Sequence, residues 1–211
     1  MNLLRFERIP VEKEFLEKVE KQPFQWVVFT SPRSVQFWTE TLLEHGIDFP
    51  TETQVATIGE STGNAASEQG FNPDFYPTEP GSECFIQEFK DLISNSPDKP
   101  EVLIPQAANG RTYLKEKLEE LGCKVTVLPL YKTIAIDESP ADISPADLED
   151  AALVLFTSPS NVAAFQKHFK LPKRARVGAI GKYTFDYLLQ NGVPADLLPG
   201  GEFERVGEIL C

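Results

Sequence analysis

The stretch Val27-Val-Phe-Thr-Ser-Pro-Arg-Ser-Val35 recurs in the same chain as Val154-Leu-Phe-Thr-Ser-Pro-Ser-Asn-Val162. Each copy is an apolar run that ends in Thr-Ser-Pro and passes into an apolar pattern with helical spacing. This order predicts a buried parallel strand leading into the N-terminus of a helix. The backbone N–H groups and the positive dipole end of such a turn favour anions. We therefore expect two lobes whose turns face one anionic ligand.

A second repeat follows each copy of the first. Val55-Ala-Thr-Ile-Gly-Glu-Ser-Thr62 recurs as Val177-Gly-Ala-Ile-Gly-Lys-Tyr-Thr184, and a glycine, Gly70 or Gly192, closes each unit at the same distance. Two copies are too few for a solenoid, which needs about three or more repeats. The pattern predicts two similar α/β lobes.

Strands alternate with helices along the whole chain, which predicts an α/β architecture with parallel sheets. We expect strands at 2–9, 25–30, 53–58, 101–105, 124–131, from 152 onward, at 175–180 and at 195–198, and helices at 12–20, 34–44, 61–69, 82–93, 112–121, up to 169 and at 182–190. Residues 134–146, rich in Pro, Ser and acidic side chains, are the best candidate linker. In such sheets ligands bind beyond the carboxyl ends of the strands, where the repeated turns and residues 106–111 lie.

The composition excludes several classes of protein. The 211 residues are 41% hydrophobic and 25% charged, which is ordinary for a globular protein, and no apolar run approaches a membrane span of about 18 residues. A net charge of −12 disfavours nucleic acid, which requires a basic face. Three widely spaced cysteines and the lack of a signal-peptide pattern predict reduced thiols and a cytoplasmic location, with no membrane association.

Familiar catalytic motifs are absent from the sequence. The two histidines, His45 and His168, lie on different predicted helices, and no Cys-x-x-Cys, phosphate-binding glycine loop or Gly-x-Ser-x-Gly elbow occurs. We therefore expect no metal site. Ser31 or Ser158 would act as the nucleophile of a hydrolase or transferase only with a general base nearby.

The polar residues of the repeated turns allow two interpretations. They cap helices, or they bind carboxylates of a ligand; the duplication of the whole pattern favours binding. The turn residues are Thr30, Ser31, Ser34, Thr157, Ser158, Ser160 and Asn161. Arg33, Arg111 and Lys182 are either carboxylate-binding cations or solvated surface residues. Tyr131 ends a predicted strand and is either a proton donor or a packing residue between lobes.

The ordered set of motifs resembles the uroporphyrinogen-III synthase family. The resemblance rests on 29–33, 58–62, 103–111, 128–133, 156–160 and 179–184, in the order and spacing of that family. It implies two flavodoxin-like lobes joined by a two-strand linker, with 10–133 as the inner lobe and 1–9 plus 134–211 as the outer lobe. It also implies cyclisation of hydroxymethylbilane, a linear tetrapyrrole with eight carboxylates, with inversion of ring D and loss of water and without a cofactor.

The resemblance assigns roles to individual residues. It implies that Tyr131 assists loss of the terminal hydroxyl. The residues that it implies as binders of propionate and acetate groups are Thr62, Ser158, Ser160 and Thr184. Other predicted substrate-binding residues, which lie in the turns at the carboxyl ends of the strands, are Thr30, Ser31, Arg33, Gln106, Gly110, Asn161 and Lys182. The protein is expected to be a monomer.

The chain departs from the family pattern at its N-terminus. The family opens with a strand ending in Thr-Arg-Pro and a helix, whereas this chain starts at what corresponds to the second strand, Leu3–Ile9. We therefore expect the outer lobe to lack its first βα unit. The alternative to the enzyme is a two-lobed anion-binding module of the same fold that has lost or reduced turnover.

Overall fold

The computed structural model describes residues 2–22, 24–94, 99–138 and 144–198, together with Gly207. The strands are β1 (Leu4–Arg8), β2 (Trp26–Phe29), β3 (Gln54–Thr57), β4 (Glu101–Ala107), β5 (Lys124–Ala135), β6 (Leu153–Phe156), β7 (Arg176–Ile180) and β8 (Asp196–Leu198). The helices are α1 (Lys13–Lys21), α2 (Pro32–His45), α3 (Glu60–Glu68), α4 (Ser82–Ser94), α5 (Tyr113–Glu120), α6 (Pro145–Glu149), α7 (Pro159–His168) and α8 (Lys182–Gln190). The predicted α/β alternation with parallel sheets is confirmed.

The chain divides into two compact units. One unit comprises Met1–Phe6 with Thr133–Cys211, and the other comprises Glu7–Lys132. We call them the discontinuous unit and the continuous unit. The division falls within β1 and β5, which are neighbours in one sheet, so these two strands connect the units.

The larger of the two sheets has five strands in the order β1-β5-β4-β2-β3. The pairs β2/β3, β2/β4 and β4/β5 are parallel. Chain order reverses between β2 and β4, because β3 lies on one side of β2 and β4 on the other. In parallel sheets this switch point opens a crevice beyond the carboxyl ends of the strands. The turns after β2 and β4 flank that crevice.

The discontinuous unit repeats part of this arrangement with a three-stranded sheet, β6-β7-β8, in which both pairs are parallel. The repeat extends to the register. Phe29 of β2 lies opposite Thr57 of β3, and Phe156 of β6 lies opposite Ala179 of β7. In each unit the Thr-Ser-Pro turn therefore adjoins the Ile-Gly turn at the same edge of the sheet.

Each unit has its own hydrophobic core. In the continuous unit, Phe85 and Phe89 of α4 stack with ring centroids 4.8 Å apart, and Trp26 meets Phe89 edge to face at 4.9 Å. In the discontinuous unit, Phe165 of α7 contacts Phe156 of β6 at 5.4 Å. Burial of these rings fixes the helices against the sheets and holds the turns between them in place.

The structure differs from the predicted elements in the segment between the units. β5 continues to Ala135, so the predicted linker at 134–146 begins inside a strand. The helix α6 at its far end was not predicted. Its signal is visible in the sequence, because Ser144 caps the helix, a proline opens it and Asp147 completes a capping box. Residues 139–143 and 95–98, in the predicted linker and a predicted loop, lie outside the described residues.

Among the residues that the structure describes, no helix has the length and apolar character needed to cross a membrane.

Candidate active site and carboxylate-binding turns

Tyr131 lies on β5 beside a β-bulge, which sets its register against β4. The register of β4 against β5 shifts between Gln106 and Ala107, so Leu130 is the extra residue and Tyr131 comes opposite Ala107. Pro129, which has no N–H to donate, precedes this bulge. The Tyr131 carbonyl accepts a hydrogen bond from Ala108 N at 2.8 Å, which ties the strand to the turn after β4.

The ring of Tyr131 is held by an aromatic neighbour and is only 6% exposed. It stacks on Phe37 of α2 with centroids 4.8 Å apart and planes inclined by 17°. Its hydroxyl lies 3.3 Å from Ser31 Oγ. Tyr131, Phe37 and Ser31 thus form one cluster at the carboxyl ends of β2 and β5.

Ser31 is the N-cap of α2. Its Oγ accepts a hydrogen bond from Ser34 N at 3.1 Å, and Ser34 Oγ completes the capping box by accepting from Ser31 N at 3.2 Å. The interpretation of Ser31 as a cap is therefore confirmed, and the same hydroxyl also contacts Tyr131. Both functions fit one side chain, since a hydroxyl has one proton and two lone pairs.

Three effects act on the acidity of Tyr131. Burial raises the pKa of the phenol above its ordinary value of 10.0, because desolvation disfavours the phenolate. The hydrogen bond with Ser31 and the positive charge of Arg33 lower the same pKa, because both stabilise the phenolate. The net direction is upward, so at neutral pH Tyr131 is a phenol with a proton to donate.

The turn after β4 brings Gln106 and Gly110 together. Gln106 is buried at the end of β4. A Cβ at position 110 would lie 2.8 Å from Gln106 Cδ and 3.0 Å from the Ala107 carbonyl oxygen, so a side chain there would displace the Gln106 amide. The Gln106 amide is thus packed against the backbone of the turn, beside the strand that carries Tyr131.

Ser158 repeats the geometry of Ser31 in the discontinuous unit. It is the N-cap of α7 with φ −161° and ψ 157°, against −167° and 157° for Ser31. Ser158 Oγ accepts from Asn161 N at 3.3 Å, and Asn161 Nδ2 donates to Thr157 Oγ1 at 2.8 Å and to Ser158 Oγ at 3.2 Å. Asn161 therefore orders the whole turn.

Thr62 and Thr184 occupy equivalent positions in the two units. Each is the third residue of its helix, α3 or α8, and each is 3% exposed. Neither hydroxyl has a hydrogen-bond partner among the described residues. The N-caps of these helices are Gly59 and Gly181, which have no side chain to satisfy the first N–H groups. Each turn therefore combines a helix N-terminus that has no side-chain cap with a threonine hydroxyl that has no partner among the described residues.

The two glycine N-caps are required for different reasons. Gly181 has φ +76°, a region that side chains disfavour. Gly59 has an extended φ, but a Cβ there would lie 2.9 Å from Pro80 Cβ. The glycine of the Ile-Gly motif is thus required by backbone conformation in the discontinuous unit and by close packing in the continuous unit.

The predicted cations have partners of their own. Lys182 Nζ lies 2.7 Å from Asp186 Oδ2, one helical turn away, and both side chains are exposed. Arg111 pairs with Glu83 at 3.0 Å and stacks over the Tyr113 ring at 5.3 Å. An anionic ligand would have to compete with these carboxylates.

The predicted site residues fall into two groups, one in each unit. In the continuous unit, Ser31 and Arg33 lie with Tyr131 at the start of α2, next to Thr30 at the end of β2. In the discontinuous unit, Ser160 lies in the first turn of α7 beside Ser158.

Sequence reasoning missed Phe37 and the bulge before Tyr131. The signals in the sequence are the aromatic residue at the sixth position of α2 and the proline inside β5.

No histidine is positioned to activate the two capping serines within the described part of the chain. His45 Nδ1 contacts the Thr41 carbonyl at 2.9 Å, and His168 Nε2 donates to the Ile136 carbonyl at 2.7 Å. The hydroxyls of Ser31 and Ser158 are bound to backbone N–H groups instead. These contacts disfavour a hydrolase or transferase with a serine nucleophile.

Two units with parallel sheets and repeated turns at helix N-termini define the class of protein: a two-unit parallel α/β protein. The chain matches the uroporphyrinogen-III synthase HemD family over residues 1–202 and belongs to that family. The resemblance drawn from the sequence motifs is therefore confirmed.

Individual relatives agree with the family assignment. A protein of Methanocaldococcus jannaschii, named "Putative uroporphyrinogen-III synthase", is 27% identical over 154 residues, which cover 71% of this chain and 61% of the relative. The matched region thus spans less than two thirds of that relative's length.

Solved structures share the fold. Uroporphyrinogen-III synthetase from Helicobacter pylori superimposes with a TM-score of 0.67 and 21% identity, covering 98% of this chain and 89% of that one. A mutant uroporphyrinogen III synthase from Thermus thermophilus gives 0.64 and 19%, covering 99% of this chain and 84% of that one.

Proposed function

We propose that this chain catalyses the closure of hydroxymethylbilane to uroporphyrinogen III, with inversion of ring D and loss of water. Membership in the uroporphyrinogen-III synthase HemD family supports the assignment. The observation that carries it is the buried phenol of Tyr131 on a bulged strand, with its hydroxyl 3.3 Å from the capping Ser31.

Tyr131 is the proposed proton donor. Because its pKa lies above 10.0, it carries its proton at neutral pH and can pass it to the terminal hydroxyl of the substrate. The C–O bond then breaks and water leaves. The proton that the substrate releases when the macrocycle forms restores the phenol, so the tyrosine is unchanged after a turnover.

The substrate's carboxylates are the proposed ligands of the helix N-termini. The first turns of α3 and α8 present N–H groups that have no partner within the helix, beside the hydroxyls of Thr62 and Thr184. The first turn of α3 carries Glu60 and that of α8 carries Lys182, so α8 is the more favourable of the two for an anion. The further proposed substrate-binding residues, which lie at the carboxyl ends of β2, β4 and β6, are Thr30, Arg33, Gln106, Gly110, Ser158, Ser160 and Asn161.

Positioning is the larger part of the proposed mechanism. The hydroxyl of the substrate's hydroxymethyl group leaves readily as water, so a weak acid suffices for that step. What requires an enzyme is the choice of the carbon on ring D at which the macrocycle closes. Fixing several carboxylates of a flexible chain at once selects that geometry before the reaction starts.

The test is to supply hydroxymethylbilane to the purified chain and to separate the product isomers. Formation of the type III isomer above the type I isomer of spontaneous closure supports the proposal. Formation of type I alone, with substrate still bound by the protein, would instead support the non-catalytic binding module.

A further inference from the structure

We propose that Ser31 acts through Tyr131 as a positioning residue, holding the phenol oxygen and supporting its negative charge as the proton leaves. This inference rests on the proposed function, since it concerns the same proton transfer. It differs from the expectation that Ser31 binds substrate, because the contact that carries it is within the protein.

The hydrogen bonds around Ser31 leave its hydroxyl able to donate to Tyr131. Its Oγ already accepts from Ser34 N at 3.1 Å, so one lone pair is used by the cap. Its proton remains free to point at Tyr131 Oη, 3.3 Å away. With Ser31 as the donor, the chain of hydrogen bonds runs from the Ser34 amide through the Ser31 hydroxyl to the phenol oxygen.

If Ser31 donates to Tyr131 Oη, the phenol proton is not directed at Ser31, and a bound substrate hydroxyl can accept it. Hydrogen bonds in such a chain strengthen one another, and the effect grows as the phenol becomes anionic. The separation of 3.3 Å is long for two hydroxyls and can shorten as charge develops on the oxygen.

The charges around Tyr131 also stabilise its phenolate. Ser31 sits at the N-terminus of α2, where the helix dipole is positive, and Arg33 of the same turn is the cation that stabilises the Tyr131 phenolate. Phe37, one turn further along, stacks on the ring and prevents it from swinging away. A single helix therefore supplies the hydrogen bond, the charge and the packing that fix this phenol.

A double-mutant cycle separates this role from capping and from substrate binding. Ser31→Ala should lower kcat by about three- to tenfold, the usual value of one hydrogen bond, with little change in KM. In a Tyr131→Phe background the same change should alter kcat by less than about twofold, because its target is gone. An equal loss in both backgrounds would overturn the proposal, as would a rise in KM without a fall in kcat.

Three further variants distinguish the loss of the Ser31 hydroxyl from a loss of folding. Ser31→Thr keeps the hydroxyl and the cap and should restore most of the rate. Ser31→Gly removes the hydroxyl but keeps an acceptable N-cap, so it should be as slow as Ser31→Ala even if the alanine variant is unstable. Ser144→Ala removes the capping hydroxyl of another helix, α6, whose contacts are with Asp147, so its kcat should stay within about twofold of the wild type.

A measurement without substrate keeps the test independent of turnover. In protein labelled at tyrosine Cζ, the Tyr131 resonance is identified by its loss in Tyr131→Phe among the five tyrosines. Ser31→Ala should shift that resonance at neutral pH and leave the other four in place. If the wild type forms no type III isomer, the proposed function fails, but this spectrum still tests the contact. A Tyr131 resonance that is unchanged by Ser31→Ala would overturn the inference.

Discussion

Thr62 and Thr184 are structural equivalents: each is the third residue of a helix that follows a parallel strand and a glycine N-cap, and each is 3% exposed. Neither hydroxyl is bonded to another described residue. An unpartnered hydroxyl stands at the same place in both repeats, beside a helix N-terminus that has no side-chain cap, and we attribute this repetition to a role in binding.

Thr62→Val and Thr184→Val should each weaken substrate binding without weakening the fold. Valine has nearly the same shape, and the lost hydroxyl has no protein partner. A hydrogen bond to a carboxylate is worth about 1.5–3 kcal/mol, so KM should rise by about tenfold or more. Steady-state kinetics measure this. Thr39→Val, whose hydroxyl donates to the Val35 carbonyl, is the control with unchanged KM. An unchanged KM in both test variants would remove these threonines from the site.

Tyr131→Phe should slow formation of the type III isomer by about tenfold, less than the hundredfold or more typical of general acid catalysis, because the hydroxyl is lost readily. The ring still stacks on Phe37, so the thermal melting of the protein should change little. Tyr76→Phe makes the same change at an exposed position and should leave the rate unaltered. A Tyr131→Phe variant with the rate of the wild type would exclude this residue as the proton donor.

Ser158→Ala should destabilise the start of α7 by about 1 kcal/mol, because the alanine cannot accept the Asn161 N–H. Amide hydrogen exchange of α7 measures this directly, since a global melt averages over two units. Ser158→Asp keeps an acceptor at the cap and should restore the protection of α7. It also places a negative charge where we expect a substrate carboxylate, so its KM should rise although the helix is stable. Restored protection with a normal KM would contradict a binding role for this turn.

Acid should loosen the segment around Thr78 in a way that depends on Glu88. Hydrogen bonds from Thr78 and Cys84 lower the pKa of Glu88 below its ordinary value of 4.5. A carboxylate with a lowered pKa stabilises the fold above its unfolded-state pKa, and this contribution disappears as the pH falls through the folded-state value. Exchange of the Thr78 amide, corrected for its intrinsic rate, should therefore accelerate below pH 4.5. Glu88→Gln should exchange faster at neutral pH and show no such acid dependence; an identical profile in both proteins would refute the assignment.

The fold could be predicted from the sequence because its signals are local and repeated. Thr-Ser-Pro before an apolar helix specifies the caps of α2 and α7, and Gly46 with φ +62° ends α2 where the pattern predicts. The end of β5 was missed because the acidic, proline-rich residues that follow it obscured the β-branched Thr133 and Ile134.

The candidate site was only partly predictable. Tyr131 was identified from its position at a strand end, but its contact with Ser31 joins residues 100 positions apart, and no sequence period encodes it. The pairing of Lys182 with Asp186 and of Arg111 with Glu83 likewise depends on side-chain geometry. Repeats therefore reveal the turns, whereas the contacts between strands and helices decide which side chains are available to a ligand.

The most direct test of the central claim is the isomer composition of uroporphyrinogen formed from hydroxymethylbilane as the concentration of this protein is increased. Our account predicts that the type III fraction rises with protein concentration until spontaneous closure to type I is outcompeted, and that Tyr131→Phe requires about ten times more protein for the same fraction. A product that remains entirely type I at every protein concentration would contradict it.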